Sequence, residues 1–123
     1  MNKVLCTTLA ASTAILALSF TTSAQATALY FEKVPVKTNS ENTCLRFASD
    51  VARDQGFSNV HKSGTEVAGE KGGAYVAITC IGRGSQQTIA VVMSVTNDFA
   101  IAKQVGSLVA DKIKGIQCID SPC

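Results

Sequence analysis

The stretch AYVAITCIGRGSQQTIAVVMSV, Ala74 to Val95, limits the fold more than any other part of the chain. Two runs rich in β-branched and small residues flank Gly82-Arg83-Gly84-Ser85, the pattern of a hairpin of two long strands closed by a short turn. In the first run Val76, Ile78 and Cys80 alternate with Tyr75, Ala77, Thr79 and Ile81. In the second, Ile89, Val91, Met93 and Val95 alternate with Ala90, Val92 and Ser94. Alternate residues of a strand point to opposite faces. Neither face of this hairpin is polar, whereas a small antiparallel sheet ordinarily has one apolar face and one wet one. Something has to cover one side, and the other side is left with an apolar surface.

The flanking sequence supplies the cover. Residues 28–37, ALYFEKVPVK, alternate as a strand, and Pro35 removes a ladder donor, which assigns the strand to an edge. Thr38-x-x-Glu41 has the form of a capping box, with Ser40 as a competing cap, and opens a helix over residues 41–55. Cys44, Ala48, Val51, Ala52 and Gln55 fall at helical spacing, flanked by Leu45 and Phe47, and Gly56 is a natural left-handed stop. Short strands follow near residues 59–62 and 65–69, or one bent strand in place of the two. Asn97 or Asp98 then caps a second helix over residues 99–114, with Ala102, Val105, Leu108, Val109, Ile113 and Ile116 as its apolar stripe. The order is β-α-β-β-β-β-α. It predicts an α+β two-layer sandwich, an antiparallel sheet of four to five strands with two helices on one face.

The N-terminus predicts export. Met1-Asn2-Lys3 is followed by an uncharged run to Thr22, and Ala24-Gln25-Ala26 offers small residues where a signal peptidase reads them, so residues 1–26 are expected to be a cleaved signal peptide. As a transmembrane anchor the apolar heart, residues 9–20, is short against the roughly 20 residues a span needs. No stable membrane insertion is expected after cleavage. Residues 27–123 then form one small domain in the periplasm or the secreted space. Of five cysteines, Cys6 leaves with the leader. The remaining Cys44, Cys80, Cys118 and Cys123 read as two disulfides in an oxidising compartment. Four cysteines allow three pairings. Cys44–Cys80 with Cys118–Cys123 is preferred, since CIDSPC closes on itself through Ser121-Pro122 and the longer link ties a helix to the sheet. Zinc sites favour Cys-x2-Cys or Cys/His pairs, and this spacing is missing, so no metal is expected.

Charge and aromatic content exclude several partners. The net charge is +2, the charges are scattered, and there is no Trp. A nucleic-acid surface needs clustered Lys and Arg, so none is expected. The glycines fit turns, because neither GxxxxGK[ST] nor GxGxxG is present and no strand leads from Gly into a helix.

The search for chemistry yields no expected catalytic residue and no cofactor. His61 is the only histidine. It lies beside Lys62 in a polar region, where Ser58, Ser63 and Thr65 sit in no nucleophile elbow. Bridged cysteines leave no thiolate to activate. Glu66 with Glu70, or Asp50 with Asp54, are conceivable acid/base pairs, but such work needs a partly buried cleft that the sequence does not indicate.

The expectation is therefore a non-catalytic protein-interaction module of inhibitor, immunity or scaffold type, bound to a protein partner or to a second copy of itself. The alternative is a binder of a small ligand or an envelope component. The expected contact face is the side of the hairpin carrying Tyr75, Ala77, Thr79, Ala90, Val92 and Ser94. Two alternatives to a contact face are a merely half-exposed surface and residues 28–37 folded across it.

Overall fold

The computed structural model describes residues 26–118. The expected leader and Cys123 thus lie outside the described residues, apart from Ala26 at the leader's end. Five strands and two helices follow in the expected order: β1 (Ala28–Pro35), α1 (Glu41–Asp54), β2 (Ser58–Lys62), β3 (Glu66–Lys71), β4 (Ala74–Arg83), β5 (Gln86–Thr96) and α2 (Phe99–Lys114). They form one sheet of order β1-β5-β4-β3-β2, antiparallel at every neighbouring pair. Strands β2 to β5 are a meander, and β1 joins its far edge beside β5. The α1 segment therefore carries the chain from one edge of the sheet to the other.

Both helices cover the same face. Cys44 of α1 is bonded to Cys80 of β4, with the Cα atoms 6.0 Å apart. Gly106 of α2 lies directly over Ser94 of β5 and Tyr30 of β1. Cys80 pairs with Ala90 and Val76 with Ser94 in the ladder, so these residues share one side. Between the layers lie Val67, Val76, Ile78 and Val92 from the sheet, and Cys44, Phe47, Val51, Val109 and Ile113 from the helices. Full burial of such side chains contributes about 1.5–3 kcal/mol each, which is what joins the layers.

Local details depart from the sequence reading where tertiary contacts compete. Ser40, and not Thr38, caps α1: its hydroxyl accepts from the Thr43 amide at 3.2 Å, while Thr38 Oγ1 accepts from the Ser40 amide. Glu41 does not close the box, because its carboxylate accepts from the Gly82 amide at 3.2 Å. Residues 58–62 and 66–71 are two strands of a hairpin, not one bent strand. The long hairpin turns more tightly than expected, on Gly84-Ser85, with Gly84 at φ +67° where only glycine is unstrained. On α2, Leu108 is exposed, and Gly106 and Ala110 take buried places beside Ala102, Val105, Val109 and Ile113. Gly56 ends α1 at φ +67°, and Phe57 packs back against the core as expected.

Candidate functional site

Since both helices lie on one side, the other side of the sheet is open, and the register maps it. Leu29, Val95, Tyr75 and Glu70 form one row across β1, β5, β4 and β3. The next row is Phe31, Met93, Ala77 and Ala68, continued by His61 on β2. A third is Lys33, Val91, Thr79 and Glu66, and a fourth is Pro35, Ile89 and Ile81. Strand alternation puts all of these on the side away from the helices. Leu29 is 52% exposed, Phe31 59%, and Tyr75 and Ile81 46% each. Contiguous apolar patches of more than a few hundred Å² are uncommon on monomers and mark contact sites.

Half of the expected contact face lies here and half does not. Tyr75, Ala77 and Thr79 are on the open side. Ala90, Val92 and Ser94 are each 0% exposed beneath the helices, and Ile89, Val91, Met93 and Val95 take their place. The cause is one residue. A regular hairpin closed on Gly84-Ser85 continues the Arg83–Gln86 pair by pairing Thr79 with Ala90 and Ala77 with Val92. An irregularity between Ile81 and Arg83 shifts the register so that Thr79 pairs with Val91 and Ala77 with Met93. A shift of one residue exchanges the faces of a whole strand. Gly82 sits at the irregularity, held by Glu41, and a Cβ there would come within 2.9 Å of the Glu41 carboxylate. The sequence signal was Gly82 itself, a glycine inside a strand pattern. Residues 28–37 do not fold across the face either, since β1 extends it as an edge strand.

The face is apolar but not featureless. Glu66 is half-buried on it, its carboxylate accepting from the Thr79 hydroxyl at 3.0 Å, and no cation pairs with it among the described residues. Lys33 is exposed at the opposite side of the same row and likewise has no ion pair there. Ala77 and Ala68 form a buried floor in the second row, while Phe31 stands proud of it.

The other candidate residues are dispersed. The Cys44–Cys80 bond is formed as expected. Cys118 is also disulfide-bonded, while its expected partner Cys123 lies outside the described residues. His61 is exposed on β2 and makes no side-chain hydrogen bond among the described residues. Ser63 Oγ is occupied by the Thr65 and Glu66 amides of its own turn. Glu70 is exposed next to Tyr75, and Ser58 lies opposite it at the sheet's edge.

Asp50 and Asp54 do line a cleft, contrary to the sequence reading. The cleft is an open one of about 650 Å³ between the C-terminal ends of the helices, shared with Phe47, Asp111, Lys112 and Ile116. Arg53 engages both carboxylates, at 3.0 and 3.4 Å, so neither stands as a free base. No group of three or more His, Cys, Asp or Glu is placed to hold a metal among the described residues. No helix among them is long and apolar enough to cross a membrane. Comparison with protein-family models, curated proteins and solved structures finds no match for the chain.

Proposed function

We propose that the protein is an exported, non-catalytic protein-interaction module, acting in the periplasm or the secreted space, that binds through the open face of its sheet. The observation that carries this reading is the uncovered apolar grid around Phe31, Met93, Tyr75 and Val91, with both helices spent on the other side. A sheet exposing one apolar face loses the stabilisation of burying it until a second surface covers it. The buried Cys44–Cys80 bond supports the exported half of the reading, because such bonds persist in oxidising compartments.

The test is a pair of charges placed in the middle of the grid. Thr79→Arg and Val91→Arg lie opposite one another in the central row. Each is expected to abolish association, with another protein or with itself, while leaving the thermal unfolding midpoint within a few degrees of wild type. Association unchanged in both variants removes the reading. Ala90→Arg is no substitute for them, since that side chain points into the helix layer and the change would break the fold.

A further inference from the structure

We infer that the occupant of the open face is a second copy of this chain, laid sheet on sheet about a two-fold axis that runs parallel to the strands between β5 and β4. The inference rests on the interaction-module reading and names its partner. An axis in that position places β1 of one copy over β3 of the other and β5 over β4, and keeps each row of the grid in line with itself.

Every consequence of that overlay follows from the register. In the second row the order across β1, β5, β4 and β3 is Phe31, Met93, Ala77, Ala68, two large residues followed by two small ones. The two-fold sets Phe31 over the partner's Ala68 and Met93 over the partner's Ala77, so that each large side chain enters the floor left by a small one. In the third row it sets Lys33 over the partner's Glu66. These are the two opposite charges of that row, one at each end, and neither has an ion pair within the described part of its own chain. Because a two-fold interface is self-complementary, each contact is made twice. The second row thus matches large to small and the third cation to anion, whereas an axis displaced onto β4 keeps Met93 over an alanine, Ala68, but sets Val91 in place of Lys33 over Glu66 and loses the charge match. At the corner Leu29 meets the exposed Glu70, whose carboxylate stays at the wet rim.

Area limits the overlay as well. Four strands about 4.8 Å apart, carrying four same-face rows about 6.7 Å apart, span roughly 500 Å² of plane before side-chain relief is counted. A standard interface buries about 800 Å² of accessible surface on each partner. The whole four-strand face is therefore needed, which excludes an axis displaced onto β5, where only β1, β5 and β4 overlap. Aligned face-to-face packing at about 10 Å is also an ordinary arrangement for two antiparallel sheets.

The experiment is sedimentation of the full chain, expressed with its own leader and purified oxidised. Wild type is expected to sediment at twice the chain mass at micromolar concentration and to dissociate on dilution. Lys33→Glu and Glu66→Lys are each expected to weaken the dimer about tenfold or more, through like charges facing across the interface. An equimolar mixture of the two single variants is expected to recover dimer, because both cross-pairs are then opposite in sign. A double variant carrying both changes is expected to recover it as well. Circular dichroism of Lys33→Glu, an exposed position, shows whether the fold survives the change. A wild-type chain that stays monomeric overturns the second-copy inference. If that monomer still captures another protein from native extract and Val91→Arg does not, the module reading stands without it; if neither captures anything, both fall. A wild-type dimer whose two single variants do not recover on mixing overturns this overlay.

Discussion

Tyr30 shows how a single residue joins the two layers by polar contact. From β1 its phenol donates to Glu32 Oε2 at 2.8 Å and accepts from the Ser107 hydroxyl of α2 at 3.0 Å, while its ring meets Phe99 edge-on at 6.5 Å. A close approach of the helix makes this possible. A Cβ on Gly106 would stand 2.5 Å from the Tyr30 ring and 3.2 Å from Ser94 Cβ, so only glycine fits there without displacement. The Ser107 hydroxyl favours the phenolate, but the bond to Glu32, desolvation and the charges of Glu32 and Asp111 together outweigh it, and the phenol is raised above its ordinary 10.0. An unfolded tyrosine gives up its proton first. The stability carried by Tyr30 is therefore present below pH 10 and is lost as pH rises through the higher folded value. Tyr30→Phe is expected to unfold about 1 kcal/mol more easily at neutral pH. It should also lose less between about pH 9 and about pH 11 than wild type does, since lysine titration is common to both. Parallel slopes for the two proteins in thermal melts across that range would show that the phenol carries no pH-dependent stability.

At the scale of elements, α2 depends on its first turn. Asp98 Oδ1 accepts from the amides of Ala100 at 2.8 Å and Ile101 at 3.2 Å, meeting two of the donors a helix leaves unpaired at its start. Asp98→Ala is expected to cost about 1 kcal/mol, seen as a lower urea midpoint at unchanged slope, with Asp98→Asn retaining most of the stability. An unshifted midpoint would mean that α2 is held by packing alone. This cap was legible in the sequence as one of two residues, Asn97 or Asp98, and the order of elements was legible with β2 and β3 open as one bent strand, because most elements have their own period and their own Gly, Pro, Ser or Asp punctuation. The facing of β5 was not. Both of its faces are apolar, so hydrophobicity alone does not choose between Ala90 and Val91, and the choice is made at Gly82, held by a glutamate from the start of α1. Glu41 reads as half of a capping box for the same reason: its neighbours in sequence were visible and its partner in space was not. Gly106 reads as an ordinary helical glycine, since its role depends on a tyrosine in the first strand. The open face was legible as a question, and its Tyr75-Ala77-Thr79 half as an answer.

At the scale of the whole molecule, the connection from β1 through α1 to β2 spans the full width of the sheet, and β1 must find β5 from the far end of the sequence. Closing such loops costs conformational entropy before any ladder bond repays it. The Cys44–Cys80 bond acts on this topology, because it fixes α1, the middle of the crossover, to the central strand β4. A loop of 36 residues closed by a disulfide is worth about 4 kcal/mol in the chain-entropy account, set against about 5–15 kcal/mol for a whole domain. Replacing both cysteines by alanine is therefore expected to lower the unfolding free energy by about 4 kcal/mol while preserving the far-ultraviolet spectrum at low temperature. The measurement is urea unfolding of the oxidised wild type beside the double variant. A shift of that size means that the covalent link offsets the entropy of the crossover, and conditions that keep the bond oxidised become a condition of the fold. Coincident curves mean that packing of α1 through Phe47, Ala48 and Val51 holds the crossover closed unaided, and the bond is then a consequence of two buried cysteines brought together by that packing.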